Sequence, residues 1–379
     1  SFILLVTGPY NFSLNRINKK HSSCVIGDQC SLFTKGIGLT INDILRNKIQ
    51  PNISFGKQSA LIQTAAGLTM IMFVIGFING IFSLITFRNK ELRKVGCGIY
   101  LLASSITSLL TITMFTIKFW FVILIQLYST IRSSILRTDC AFIGPVLKLC
   151  LYLDGWLNAC VAIERTVTVS KGISFDKKMS RHAARSVIFI LTIFITGTII
   201  HEPIHHELFE HTTHKYNPIN ISHNLTMNLT MTNEHTVLCV IRYSRSVQTY
   251  NTITLFIHLV VPFVANLFSA LFIIFGTARR RSTAKTNKKS FKEHAVNQMR
   301  EHKQLLISPF ILLLLALPRL IMSLISGCVD PSENPWLYLC GYFISFTPPM
   351  LIFTVFVLPS ELYRKTFKDA MTRCRQQTH

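Results

Sequence analysis

Residues 201–211 read HEPIHHELFEH, in which His201, Glu202 and His205 match the pattern H-E-x-x-H. Two histidines four apart on one helical face can hold a zinc ion. The glutamate between them can then take a proton from the metal-bound water. Leu153-Asp154-Gly155 offers an aspartate as a third ligand from elsewhere in the chain. Pro203 works against this chemistry, because it falls between the ligands. It removes a main-chain donor and biases Glu202 away from helical angles. No catalytic metal site is therefore expected. His201, His205, His206 and His211 remain as a surface cluster that could hold a metal weakly.

Other chemistry-bearing groups lie within apolar stretches, where an ionisable side chain is costly and calls for a role. Arg165 has Glu164 beside it as a local counter-charge. Asp154 precedes Arg165 by 11 residues, roughly 16 Å along an ideal helix. Lys118, Lys148 and Arg319 are three further cations, and Tyr152 and His258 could line the same space. Converging on an apolar vestibule, they would suit an anionic or carbonyl-rich ligand such as a peptide terminus. Alternatively, Lys118 snorkels to headgroups and Lys148 pairs with a loop carboxylate. Asp154 could equally be a neutral acid hydrogen-bonded within the bundle.

The elements that must position these groups follow from composition. Of 379 residues 49% are hydrophobic and only 15% charged, with a mean hydropathy of +0.40. A soluble domain carries nearer a quarter charged residues. Seven stretches are long and apolar enough to cross ~30 Å of hydrocarbon as helices. They lie at 60–87, 97–125, 141–164, 186–202, 248–277, 304–326 and 337–358. The expected fold is an all-α membrane protein, a seven-transmembrane helix bundle with a short amphipathic helix after the seventh span. Residues 1–58 form an outer tail, 59–358 the bundle, and 359–379 an inner helix and tail. The opening SFILLV is too short for a complete signal-peptide core and could be the tail of one.

The chain holds 39 Lys and Arg against 17 Asp and Glu, a net charge of +22. In a soluble protein that excess would suggest nucleic acid. Here most of it collects after spans one, three and five and in the tail beyond Pro359. That marks a cytoplasmic face, and no nucleic-acid partner is expected. The sequons at Asn11, Asn52, Asn220, Asn224 and Asn228 all fall in the N-terminal tail or in the loop after span four. Those two segments share the opposite, glycosylated side.

An outside N-terminus, seven spans and a basic inner face together resemble the rhodopsin-like (family 1) G-protein-coupled receptors. Gly76-Phe-Ile-Asn79 is similar to the first-span signature, and Glu164-Arg165-Thr166 to the Asp/Glu-Arg-Tyr of span three. Pro262 and Pro318 occupy the kink positions of spans five and six. Leu358-Pro-Ser-Glu-Leu-Tyr-Arg-Lys-Thr-Phe367 resembles the inner-surface helix, with Leu362/Tyr363, Thr366/Phe367 and Ala370/Met371 on its lipid side, and Cys374 follows as a lipidation candidate. The resemblance implies a disulfide between Cys140 and Cys239, a plasma-membrane location, an extracellular ligand and a heterotrimeric G protein as partner. It also gives Glu164 and Arg165 the role of engaging that G protein. It implies no cofactor and no enzymatic activity.

The chain departs from the family at several positions. The second-span aspartate falls on Ile106, and Asp154 with Asn79 and Asn158 would replace the polar centre lost there. The tryptophan before the sixth-span proline is absent from Leu315-Ala316-Leu317-Pro318. Ile352-Phe-Thr-Val-Phe356 stands where the family reads Asn-Pro-x-x-Tyr. The layout suggests a divergent branch, nearest the peptide and orphan receptors of invertebrates. Span seven has no lysine, which argues against a retinal-binding opsin. Cys97, Cys150, Cys160 and Cys340 read as small packing residues, while the pairing of Cys24, Cys30 and Cys328 stays open. Two rival classes remain: an intramembrane zinc metalloprotease built on HEPIH and Leu-Asp-Gly, and a multi-pass channel or transporter subunit.

Overall fold

A computed structural model describes residues 25–26, 32–33, 41–45, 48–49, 53–127, 142–171, 174–218, 229–241, 244–284, 310–311, 314–318, 321 and 335–377. Two-residue strands β1 (Val25–Ile26) and β2 (Leu32–Phe33) pair in the tail, followed by the short helix α1 (Ile41–Leu45). The long helices are α2 (Ala60–Phe87), α3 (Gly96–Leu127), α4 (Gly144–Lys171) and α5 (Lys177–Ile199). A one-turn helix α6 (His201–His205) leads into the antiparallel hairpin β3 (His206–Pro218) and β4 (Leu229–Ile241). Then come α7 (Arg245–Ala284), α8 (Pro335–Ile344), α9 (Thr347–Met350), a π-helical turn at Phe353–Val357, and α10 (Glu361–Gln377).

Five helices are long and apolar enough to cross a bilayer: Ala60–Phe87, Gly96–Ile125, Gly144–Lys171, Lys177–His205 and Ser246–Ile273. They match the first five apolar stretches of the sequence, and the protein is a membrane-embedded helical bundle. Most of the sixth stretch lies outside the described residues, though Pro318 is helical there. The seventh is broken into α8, α9 and the π turn. Pro348 and Pro349 lie inside α9 and lack the N–H that a continuous helix would need.

Packing sets the order of the helices. α4 touches α3, α5 and α7, while α2 and α3 pack together and take α9 against them. Buried residues make up 61% of the apolar window of α4 but only 17% of that of α5, so α4 is the axis and α5 lies at the rim. The α2–α3 approach needs Gly80, where a Cβ would lie 2.4 Å from a Leu109 methyl. Asp176 starts α5 by accepting from the main-chain N–H of Lys178 (2.8 Å) and Met179 (3.2 Å).

Pro203, expected to bias Glu202 away from helical angles, does not do so. α5 breaks at Ile200, and helical geometry resumes through Pro203 to His205. Pro203 thereby sits in a first turn, where its missing N–H has no helical acceptor to lose.

α10 also divides its apolar face differently from expectation. Tyr363 and Phe367 turn into the bundle, against Phe87, Phe82 and Phe353. Leu362 and Met371 stay exposed.

Candidate functional site

Three polar layers run along α4. At its C-terminal end Glu164 and Arg165 are both buried, but their side chains go to different places. Ser180 Oγ of α5 donates to Glu164 Oε1 and accepts from the Gly96 N–H at 2.9 Å. The main-chain amides of Gly96 and Cys97 also reach the carboxylate. Glu164 is thus an interhelical cap on the N-terminus of α3, where a negative charge is favoured by the helix dipole. A Cβ on Gly96 would stand 2.6 Å from Glu164 Oε2 and 2.8 Å from the Ser180 carbonyl oxygen. Only glycine fits that approach.

The Arg165 guanidinium lies 5.2 Å from the centre of the Phe356 ring, within electrostatic reach of the Cys97 thiol and the Tyr363 hydroxyl. Cys97 Sγ and Tyr363 Oη are 3.9 Å apart. Arg165 Nη1 has no partner among the described residues. The counter-charge expected from Glu164 is spent on α3 instead, and every contact named here for Arg165 is neutral. Burial above all holds the Tyr363 hydroxyl higher than its ordinary pKa, so it meets the arginine as a phenol.

The middle layer centres on Asp154. Ser104 donates to its Oδ1 at 2.7 Å and Asn158 to its Oδ2 at 3.2 Å. Beside them is a cavity of about 80 Å³, lined in part by Asp154, Asn158, His258, Pro262, Asn266 and Pro349. Asn158 Oδ1 and Asn266 Oδ1 are buried there without hydrogen-bond partners among the described residues. The expected trio is only partly assembled. Asn79 instead accepts from Thr354 of the π turn at 2.9 Å and donates to the Ile75 carbonyl. Ile106 is 47% exposed, so a carboxylate there would face lipid. The inward polar positions of α3 are Ser104, Ser105 and Ser108, which bond to Asp154, Ser83 and the Pro349 carbonyl.

In the layer nearest the N-terminal end of α4, Tyr152 stacks on His258 with ring centres 4.7 Å apart. Trp156 Nε1 lies 3.0 Å from His258 Nδ1. An indole N–H can only donate, so Nδ1 accepts and the imidazole proton sits on Nε2. That proton goes to Thr198 Oγ1 at 2.8 Å, and Thr198 donates to the Ile195 carbonyl. Lys148 pairs with Glu202 at 2.7 Å, so this cation has a fixed carboxylate of its own. Lys118 is half-buried in α3.

The H-E-x-x-H residues are otherwise engaged. Glu202 holds Lys148, and Nδ1 of His201 and His205 each lies 2.8 Å from a main-chain carbonyl oxygen. Among the described residues no three His, Cys, Asp or Glu side chains gather as a metal would require.

Arg319, Cys140 and the sequon asparagines Asn11, Asn52, Asn220, Asn224 and Asn228 lie outside the described residues. So do the side chains of Cys239 and Cys374; Cys239 stands opposite Leu208 in the hairpin. Sequence reasoning missed Trp156, Thr198, Ser180, Cys97 and Gly96. Each became visible only through a contact made across helices. No protein-family model matches the chain, and no curated protein proves similar to it.

Proposed function

We propose that the chain is a seven-helix, rhodopsin-like receptor of the plasma membrane that couples an extracellular ligand to a heterotrimeric G protein. The observation that supports it most is the Arg165 node. A guanidinium is buried at the inner end of the central helix and held by an aromatic ring, a thiol and a phenol, with one nitrogen unspent. These partners come from α3, the π turn and α10, so a relative shift of those elements would free the charge. A cation held by neutral groups is cheaper to release than one in a buried ion pair.

Ligand binding at the outer end, where Tyr152, His258 and the Lys148–Glu202 pair lie, would have to favour the released state over the held one. The apolar stretch at 304–326, with Pro318, and the broken stretch from α8 to the π turn complete the seven spans in this reading. The basic segments and the sequons give the orientation, N-terminus outside.

The test is G-protein nucleotide exchange in membranes containing the chain, screened with peptides and small anions, with Arg165→Ala as control. Ligand-driven exchange lost in Arg165→Ala supports the receptor. Ligand-independent ion current, or chelator-sensitive cleavage of a membrane substrate, would replace it with another class.

A further inference from the structure

The N-terminal tail holds one of the most deeply buried segments of the molecule. Ile41 and Leu45 have no exposed surface, Ile44 is 2% exposed and Ile49 is 6% exposed. The spacing i, i+3, i+4 and i+8 puts all four on one side of a short helix and the turn that follows it. That turn is closed by Lys48 and Ile49 N–H donating to the Leu45 carbonyl. Lipid-facing side chains of a spanning helix contrast with these: Ile71 and Val74 of α2 are 57% and 50% exposed. The tail aliphatics are therefore sealed against apolar side chains of the bundle and not turned to lipid.

Their surroundings identify the place. The four share one apolar cluster with Leu61 and Ile62 at the start of α2, Val122 and Ile123 near the end of α3, and Leu339 in α8. α1 packs against α8 and α3. A second anchor follows, with Phe55 against Trp120 of α3 at 6.2 Å between ring centres. All of these are at the end of the bundle opposite Arg165.

We propose that Ile41–Leu45, with Ile49 after it, is a tethered occupant of the outer mouth, a built-in competitor for anything that docks there. The mouth is in this view a site for an amphipathic peptide helix carrying aliphatic side chains at i, i+3 and i+4. The tail fills it because tethering gives it a high effective concentration. An external ligand must displace the tail or share the mouth with it. That consequence rests on the receptor reading; the occupancy itself does not.

The test uses the full chain in lipid nanodiscs and a fluorescein-labelled synthetic peptide of residues 39–51. The triple variant I41S/I44S/L45S should bind the peptide at least about tenfold more tightly than the parent, whose own tail competes. Equal affinity, or no capture by the variant, overturns the proposal. A second measurement on the parent guards against a misfolded variant. A photo-crosslinker at position 45 should label residues 119–127 or 335–346, and labelling elsewhere or none also overturns it. Basal nucleotide exchange is read in the same discs. Peptide capture without any effect on exchange supports the occupant while counting against the receptor.

Discussion

Lys148 Nζ and Glu202 Oε1 meet at 2.7 Å, joining the N-terminal part of α4 to the one-turn helix α6. The Glu202 side chain is 4% exposed and that of Lys148 35%, so the carboxylate depends on its partner more than the ammonium does. A double-mutant cycle with Lys148→Met and Glu202→Gln should give a coupling of about 1–2 kcal/mol in thermal stability. Lys148→Met alone should cost more than the double variant, because it strands a buried charge. Additive effects would show that the pair contributes nothing. Chelators should leave the midpoint unchanged.

The junction of Gly96, Glu164 and Ser180 gives a second expectation. Gly96→Ala forces a methyl against a carboxylate and a main-chain oxygen that cannot both move. It should destabilise the bundle by about 1–3 kcal/mol. Glu164→Gln keeps the shape but loses the charge facing the α3 N-terminus, at about 1 kcal/mol or less. A Gly96→Ala chain as stable as the parent would mean that α3 and α4 approach less closely than described. Thermal unfolding in detergent checks both.

The sequence made the membrane class and the first five spans legible, because about 20 consecutive apolar residues leave a backbone few alternatives. It also grouped Tyr152 with His258, by their place in separate spans, and Asp154 with Asn158, which helical spacing sets on one face of α4. It misjudged Glu164. Adjacency in sequence does not aim two side chains at each other on a helix, and the uncapped end of α3 is a stronger sink for the carboxylate. Asn79 was misplaced for a similar reason: its partner Thr354 is 275 residues away, and no local pattern encodes it. The burial of Ile41, Ile44, Leu45 and Ile49 was hidden because so short an apolar pattern cannot be told from an ordinary tail.

Asp154 accepts from Ser104 and Asn158. Asp154→Ala leaves two buried donors without an acceptor and should cost about 2–4 kcal/mol, at roughly 1–3 for each orphan less what the cavity's space relieves. Asp154→Asn retains an acceptor and should cost less. The measurement is the thermal midpoint of the two variants side by side. If Ala is no worse than Asn, the two hydrogen bonds carry no weight.

Orientation is directly testable. In the receptor reading, Asn11, Asn52, Asn220, Asn224 and Asn228 all face the glycosylating side. Chain made in animal cells should lose apparent mass on treatment with a peptide N-glycosidase. Replacing all five with Gln should remove that shift. A parent chain that shows no shift and is labelled from the inside at its N-terminus reverses the topology.

The Arg165 node carries the sharpest prediction because its three partners can be removed singly. Phe356→Leu removes the aromatic face, and Phe356→Tyr keeps it. Tyr363→Phe removes the hydroxyl that faces the arginine but leaves the ring against Phe87. Each loss should cost about 1 kcal/mol in the held state and raise basal nucleotide exchange, whereas Phe356→Tyr should do neither. The raised pKa of Tyr363 adds a pH test with a fixed sign. An acid whose folded pKa lies above its unfolded value of ~10 contributes all its stability below that pH and loses it as pH rises through the folded value. The parent should therefore lose stability above ~10 more steeply than Tyr363→Phe does. Parallel curves would mean that Tyr363 titrates as an ordinary surface tyrosine, and the arginine would then need another acceptor.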